Sequence, residues 1–355
     1  MELQNNQWLT VARTLRHMTQ KEAAEQIGIS QGKLSKAEHC IQDLEPSVWD
    51  KVSDVYDLPQ SFFRQEWDSS LSANSFFRRR ITVSSKDVDS FVSTIKIIKV
   101  ILDQLTEPFE MPNYSLRTYL VHNGITPQDI AKKTRLDMGL YRGPVPNLVT
   151  LLENCGVIII RMDFGTEKMD GLSTSTSQGR KVVFLNNQMP NDRIRFSLAH
   201  ELGHIVMHLD DIISEDRDAE EEANIFASEF LMPSEDIKPL LYNLNMSKLA
   251  DLKRRWRVSM HALVKRAKDI GTISSITYRN FQINFSKHGY TKKEPVDLPL
   301  EKPVVLDVLL KGYREDLGYS DEDLMSMMKI NNSDYRKWFC ELKPAISIPI
   351  RKSFS

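Results

Sequence analysis

The sequence lacks paired cysteines, a long apolar run and an excess of charge of either sign. Its three cysteines are far apart and odd in number, which excludes a disulfide framework and a cysteine-based zinc site. The longest aliphatic run, residues 157–160, has the length of a strand and is too short to span a bilayer. The first fifteen residues lack the basic end and apolar stretch of a secretory signal. We therefore expect a cytoplasmic protein without a membrane partner.

Charge is nearly balanced, with 47 Lys or Arg against 48 Asp or Glu in 355 residues. This balance excludes a uniformly basic nucleic-acid coat protein, but it allows a local basic face. The hydrophobic content of 41% is that of a globular chain rather than a disordered one. Because the length exceeds what one compact core usually organises, we expect several domains.

Helical periodicity dominates the chain and changes to a strand period near its middle. Apolar residues recur at helical spacing in residues 8–67, in much of 86–152, from 192 to about 282, and in the tail from Pro303. We therefore predict a mainly helical α+β fold with a small sheet. Its strands are predicted at 156–160, 182–185 and, between them, 172–178.

The segment 18–31 has the pattern of a helix-turn-helix. Thr19 followed by Glu22 is a capping box at the start of the first helix. Gly28 lies where the turn needs a positive φ, and Ser30 can cap the second helix. Side chains at the start of these helices would then face phosphates and base edges. The candidate DNA-contacting residues are Gln20, Gln31, Lys33, Ser35 and Lys36.

This N-terminal pattern resembles the XRE (Cro/repressor-like) family over most of residues 8–66. The charge of the segment argues against tight DNA binding, since residues 1–66 hold seven Lys or Arg against ten Asp or Glu. Phosphate neutralisation supplies much of the affinity for DNA. Two interpretations stay open: sequence-specific DNA binding, or a helical module for dimerisation or for recognising a partner repressor.

The strongest chemical signal is the His-Glu-x-x-His motif formed by His200, Glu201 and His204. Positions i and i+4 of a helix lie about 40° apart, so both imidazoles can reach one ion. Glu201 is rotated about 60° from His204, where it can act on a water molecule without binding the metal. We therefore predict one Zn²⁺ per chain, with His200 and His204 as ligands and Glu201 as general base.

A zinc protease needs a third protein ligand and an open fourth position. Asp210 stands where an extended motif would place a third histidine, and His208 lies one turn beyond His204 and further round the helix. We therefore expect His208 to pack behind the site rather than to bind the metal.

Three consecutive glutamates downstream are the candidates for the third ligand. At about 100° per residue, Glu220 lies about 60° from the buried Ala223, Glu222 about 100° and Glu221 about 160°. Glu220 is the predicted ligand, with Glu222 as the alternative and Glu221 in solvent. Asn224, one turn after Glu220, can orient that carboxylate or a ligating histidine.

The surroundings of the motif resemble the ImmA/IrrE metallo-endopeptidases. Residues 195–204, 220–227 and 230–233 carry the resemblance, and weaker similarities extend it over most of 75–290. The resemblance implies a zincin-like domain of the gluzincin type, in which His200, His204 and Glu220 hold zinc and Glu201 is the base.

The resemblance also implies a substrate class. Members of that family cleave intracellular proteins, typically XRE-type repressors that control DNA-damage responses, mobile elements or toxin–antitoxin genes. We therefore expect a zinc endopeptidase with a repressor as its substrate and DNA as a partner of the N-terminal domain; a homodimer stays open. The alternatives are a non-proteolytic XRE-type regulator with a structural or vestigial metal site and a toxin–antitoxin component.

These patterns predict five segments along the chain. In the basic helical segment at 246–290, residues 246–268 hold eight Lys or Arg against one acid. This excess of positive charge has two interpretations: a helix-turn-helix-like element that contacts nucleic acid or an acidic partner, or a plain solvated helix face. The predicted segments are an XRE-like domain at 1–70, a helical linker packing on the protease at 71–150, the metallopeptidase core at 151–245, a basic helical segment at 246–290 and a helical C-terminal region at 291–355.

The tail contains an echo of the N-terminal module. A shift of 301 residues places Thr19 on Ser320 and Leu34 on Tyr335. The copy is acidic at 321–323, so we expect it to be a packing or partner-docking unit rather than a second DNA-binding element.

Overall fold

In the computed structural model the chain forms two compact units, one of Met1–Leu105 with Leu310–Ser355 and one of Thr106–Leu309. The predicted mainly helical fold with a small sheet is confirmed. No helix among the described residues is long and apolar enough to cross a bilayer. The structure describes residues 4–67, 85–121, 124–167, 169–209, 213 and 217–340. Asp210 lies outside these residues.

Within residues 4–67 and 85–106, as far as the structure describes them, the first unit has four short α-helices and one long one. Trp8 and Phe62 pack edge to face at 5.1 Å in the core of its N-terminal part, and both are fully buried. The helices are α1 (Gln7–Leu15), α2 (Gln20–Ile27), α3 (Gln31–Glu38), α4 (Trp49–Tyr56) and α5 (Ser85–Thr106).

The predicted caps of α2 and α3 are confirmed. Thr19 accepts a hydrogen bond from the Glu22 backbone N–H, and the Glu22 carboxylate accepts one from the Thr19 backbone N–H. Gly28 ends α2 at φ +83°, and Ser30 accepts from the backbone N–H of Lys33. Two helices and their turn therefore form as the local sequence predicts, while their assignment to the XRE class stays a prediction.

Helix α5 shows the stripe predicted from its periodicity, because Phe91, Ile95 and Ile98 are all buried. It belongs to the first unit, and the packing of the linker at 71–150 on the protease stays a prediction. Ser90 donates to the carbonyl of Leu15 at the end of α1, so α5 contacts an N-terminal helix of the same unit.

The second unit surrounds a three-stranded sheet. Strand β3 is central, parallel to β1 and antiparallel to β2, which makes β2 an edge strand of this sheet. The elements are α6 (Pro127–Asp137), α7 (Leu148–Asn154), β1 (Ile158–Met162), β2 (Gly171–Ser175), β3 (Lys181–Asn186), α8 (Asn191–Met207), α9 (Ala219–Leu231), α10 (Ser234–Ile237), α11 (Met246–Trp256), α12 (Met260–Asp269) and α13 (Ser275–Lys287).

Helix α8 carries the His-Glu-x-x-His motif and packs against both β2 and α9. It approaches α9 closely at Gly203, where a Cβ atom would come within 3.1 Å of the Phe226 ring and 3.3 Å of the Cα of Ala223. A glycine at this position lets the two helices meet, and their contact brings the motif beside the first turn of α9.

The basic segment 246–268 forms α11 and α12, and two of its cations lie in the interior. Lys253 is 1% exposed at its side chain and ion-pairs with the buried Glu294 and the partly buried Asp192. Arg266 is also buried, pairs with Glu229 and donates to the carbonyl of Met232. The eight basic residues therefore do not form one solvated face, because burial and internal ion pairs withdraw these two from the surface.

The tail contains α14 (Val305–Glu315), α15 (Asp321–Met328) and α16 (Asn332–Tyr335). Helix α15 reproduces α2 at a shift of 301, with a capping box between Ser320 and Asp323. Lys329 takes a positive φ of 55° at the place that corresponds to Gly28. The predicted internal echo is thus confirmed at the level of helix boundaries and caps.

The tail echo is tied to the N-terminal helices within the first unit. The Arg16 guanidinium donates to both carboxylate oxygens of Asp334, at 3.0 and 2.7 Å, and to the carbonyl of Tyr56 at 2.7 Å. This bidentate pair is partly buried, which favours a packing role for α16.

Candidate metal centre

The two motif histidines meet on one side of α8. Their Nε2 atoms are 3.0 Å apart, as expected for i and i+4 positions that turn toward a common point. The side chain of His204 is 1% exposed and that of His200 12%, so the pair lies at the inner end of a site that opens outward.

Glu220 completes the cluster from the first turn of α9. Asp218 caps this helix by accepting from the backbone N–H of Glu220, which places the Glu220 side chain at the helix start. Its carboxylate oxygens lie 3.4 Å from Nε2 of His200 and 3.5 Å from Nε2 of His204. One ligand atom from each of the three residues lies within 4.8 Å of the others.

This donor set fits zinc. Two imidazole nitrogens and a carboxylate are a common catalytic zinc set, and tetrahedral geometry with ligands at about 2.0–2.1 Å places them about 3.3 Å apart. The separations of 3.0, 3.4 and 3.5 Å are close to that spacing. The Glu220 side chain is 47% exposed, so a further ligand or a substrate can approach the cluster from the side of Glu220.

Glu201 lies against the edge strand. It is 1% exposed, and its Oε2 accepts a hydrogen bond from the Ser173 hydroxyl at 2.8 Å. A Cβ on Gly171 would lie 3.1 Å from Cγ and 3.3 Å from Oε1 of Glu201. The strand therefore both orients the carboxylate and leaves room for it, which is what a positioned base requires.

The hydrogen bonds of β2 show which of its backbone groups point away from β3. Asn186 N–H donates to the Asp170 carbonyl and Thr176 N–H to the Arg180 carbonyl, both at 2.9 Å, so the even-numbered residues of β2 pair with β3. Bonded and non-bonded positions alternate in an antiparallel ladder. The N–H and C=O groups that point away from β3 belong to Gly171, Ser173 and Ser175.

Each motif histidine has a partner at its second nitrogen. Nδ1 of His200 lies 3.0 Å from Oδ1 of Asn224, one of the two placements expected for that asparagine. Nδ1 of His204 lies 2.9 Å from Nδ1 of His208, which is fully buried behind it. These contacts leave both Nε2 atoms directed at Glu220.

Glu222, the alternative ligand, is directed away from this cluster. Its carboxylate contacts Nε2 of His208 at 2.8 Å and the guanidinium of Arg217 at 2.7 and 3.0 Å. Burial raises the pKa of Glu222, but the hydrogen bonds from Arg217 and His208 outweigh burial and lower that pKa below its usual value. Burial and the neighbouring His204 lower the pKa of His208 to about 4, so its ring is neutral near pH 7.

A groove of about 1820 Å³ in the second unit runs along α8 and α9. Its lining includes Phe196 and Ser197, one turn before His200, and Asn224, the partner of His200. The groove therefore reaches the residues next to the cluster.

The candidate DNA-contacting residues lie at the start of α2 and along α3. Gln31 and Lys36 are exposed, and Ser35 is half-buried. Gln20 donates to Glu38 at 2.7 Å, and Lys33 ion-pairs with Glu45 at 2.8 Å. Two of the five side chains are therefore exposed, and two others form hydrogen bonds or ion pairs with residues of the same chain.

The sequence analysis missed Ser173, Gly171 and Arg217 as parts of the site. The alternation of small residues at 171 and 173 is a signal for a side chain packed against the strand. Arg217 has no comparable signal, because its relation to Glu222 depends on the turn that enters α9.

Comparison with known proteins agrees with this geometry. Residues 152–268, about a third of the chain, match the family model described as Peptidase_M78: IrrE N-terminal-like domain. The matched region includes the sheet, α8, α9, α11 and nearly all of α12, so it contains the whole His200–His204–Glu220 cluster. No curated protein matches the chain. The match therefore relates the part of the chain that carries the cluster to a peptidase family.

Proposed function

We propose that this protein is a zinc-dependent intracellular endopeptidase of the gluzincin type, with His200, His204 and Glu220 as ligands and Glu201 as general base. The observation that supports it most directly is the convergence of these three side chains within 4.8 Å, beside a buried glutamate held by an edge strand. The cytoplasm is the proposed location, because the cysteine pattern is that of a reducing compartment.

The chemistry divides between the metal and the chain. When bound, zinc polarises the scissile carbonyl and lowers the pKa of the attacking water. Glu201 accepts the proton of that water and passes it to the amine nitrogen of the departing fragment. The Ser173 hydroxyl holds Oε2 of Glu201 at 2.8 Å, which orients the carboxylate for this transfer.

We propose that substrate adds to the edge of the sheet as an extended strand. Gly171 and Ser173 lie beside Glu201, and together with Ser175 they direct backbone donors and acceptors away from β3, as such pairing requires. The test is cleavage of a peptide series in which single backbone amides are replaced by esters. Loss of cleavage at alternate positions is expected, and equal cleavage of every ester variant would refute strand addition.

The proposed substrate is an XRE-type repressor. The family match supports a regulator as substrate, and the N-terminal helices supply a module of the same kind as such a repressor. The test is incubation of purified XRE-type repressors with zinc-loaded wild type, Glu201→Gln and Glu221→Gln. Cleavage by wild type and Glu221→Gln alone is expected, because Glu221 faces outward on α9. Cleavage by all three proteins would remove Glu201 from the mechanism.

DNA binding by the N-terminal module is a second proposal. It is supported by the capped α2–α3 pair with Gln31 and Lys36 exposed at α3. Lys36→Glu should weaken binding to operator DNA, and Lys311→Glu in the tail should not. If the two variants bind operator DNA equally, the acidic module serves dimerisation or the recognition of a partner repressor instead.

A further inference from the structure

A buried polar chain runs from His204 away from the candidate metal position. His204 contacts His208 through their Nδ1 atoms at 2.9 Å, and Nε2 of His208 contacts Glu222 at 2.8 Å. Glu222 in turn accepts two hydrogen bonds from Arg217. The side chains of His204 and His208 are at most 1% exposed, and those of Glu222 and Arg217 are 15% and 17% exposed.

The two outer members of this chain have only one hydrogen-bonding role each. A guanidinium only donates and a carboxylate only accepts, whereas a neutral imidazole donates at one nitrogen and accepts at the other. Nε2 of His208 therefore carries the proton and donates to Glu222. Its Nδ1 is left with a lone pair and can only accept.

The same logic determines the proton position on the neighbouring ring. Because Nδ1 of His208 accepts, Nδ1 of His204 must carry a proton and donate. A neutral His204 then has its lone pair on Nε2, the atom that lies 3.0 Å from Nε2 of His200 and 3.5 Å from Glu220. With both rings neutral, any other arrangement would bring two protons or two lone pairs face to face in at least one contact.

Resting on the proposed metal centre, we infer that Arg217, Glu222 and His208 are positioning residues that fix the tautomer and ring orientation of His204 for metal binding. At its second nitrogen, His200 instead contacts Asn224, on the more exposed side of the site. An amide can present either its oxygen or its nitrogen, so Asn224 does not dictate the tautomer of its partner. Control of the ligand tautomer therefore comes chiefly from the buried chain behind His204.

The first test is zinc affinity of the full-length protein, measured by competition with a chelator. Glu222→Gln replaces an obligate acceptor by an amide that can donate to His208, so zinc affinity should fall about 10- to 100-fold. Glu221→Gln is the matched control on the outward face of α9 and should stay within about 2-fold of wild type. Unfolding midpoints of the metal-free proteins show whether either variant is structurally damaged.

Two substitutions at His208 separate tautomer control from packing. His208→Asn can place an oxygen where Nδ1 stood and still accept from His204, whereas His208→Leu cannot. His208→Leu should lose affinity to the same extent as Glu222→Gln, and His208→Asn should recover most of it. Once His208 is Asn, adding Glu222→Gln should have no further effect on affinity, because the connection to His204 is already cut.

A direct readout is the ¹⁵N spectrum of histidine-labelled, metal-free protein near pH 7. His204 should show the Nδ1–H tautomer and His208 the Nε2–H tautomer in wild type, with both mixed in Glu222→Gln. The inference is overturned if wild type shows other tautomers, or if Glu222→Gln and Glu221→Gln bind zinc equally. In that second case the metal centre itself stands, whereas failure of wild type to bind zinc would overturn the proposed function together with the inference.

Discussion

The Ser173 hydroxyl donates a 2.8 Å hydrogen bond to Oε2 of Glu201, which joins the edge strand β2 to the motif helix α8. This bond holds the residue proposed to move protons in a fixed position on the strand proposed to bind substrate. A substrate paired along the edge would then meet the base at a defined position, and such positioning is a large part of catalytic rate enhancement.

Gly171 should be sensitive to the addition of a single methyl group. Gly171→Ala places a Cβ 3.1–3.3 Å from the Glu201 side chain, which must shift. We expect kcat/KM to fall about 10- to 100-fold, the scale of a misplaced catalytic group. Zinc affinity should be unchanged, because the three atoms nearest the added Cβ belong to Glu201 and Leu185 and not to a proposed ligand. An equal loss of kcat/KM and zinc affinity would show general damage instead.

Gly203 should be needed for the contact between α8 and α9. Gly203→Ala forces a Cβ toward the Phe226 ring and the Cα of Ala223, so the free energy of unfolding should fall by about 1–3 kcal/mol. Gly32→Ala, also in a helix, is the control because its Cβ would meet nothing within 4 Å. It should be neutral or stabilise by up to about 1 kcal/mol. Chemical denaturation of both variants decides whether the close approach is the cause.

Lys253 and Arg254 are adjacent in the sequence, but replacing them should lower the free energy of unfolding to very different extents. Lys253→Met removes the buried ammonium that pairs with the buried Glu294 and the partly buried Asp192 and should cost about 3–5 kcal/mol. Arg254→Met removes an exposed pair with Asp251 and should cost less than about 1 kcal/mol. If denaturation gave similar losses for both, the interior role of Lys253 would be wrong.

Stability should decline in acid through Glu294. Burial opposes ionisation of this carboxyl, but hydrogen bonds from His261, Lys253 and the Met260 N–H outweigh burial and lower its pKa to about 2. An unfolded glutamate has a pKa of about 4.3, so the contribution is complete above that pH and is lost as pH falls toward 2. Unfolding free energies measured between pH 5 and 2 should show a weaker pH dependence for Glu294→Gln than for wild type.

Local periodicity and capping account for what the sequence could predict. The i, i+4 spacing of His200 and His204 and the angular position of Glu220 are properties of single helices, and the structure places these three side chains together. The alternative, Glu222, also faces inward, as the same angles suggest, but toward His208 instead.

Features that depend on contacts between distant segments were not predictable in this way. Glu294 follows Lys253 by 41 residues, and no local pattern links them. The membership of α5 and the tail in one unit depends likewise on packing between the two ends of the chain. The charge count over 246–268 is limited for the same reason, since it does not show that Lys253 and Arg266 are buried.

The most direct test of the account is terminal-labelling mass spectrometry of a cell lysate treated with zinc-loaded protein. Wild type, Glu201→Gln and Glu221→Gln would each be added after zinc content is measured. The account predicts one zinc in each protein, with new N-termini from a small set of regulatory proteins only for wild type and Glu221→Gln. The same new N-termini with Glu201→Gln, or none with any zinc-loaded protein, would contradict it.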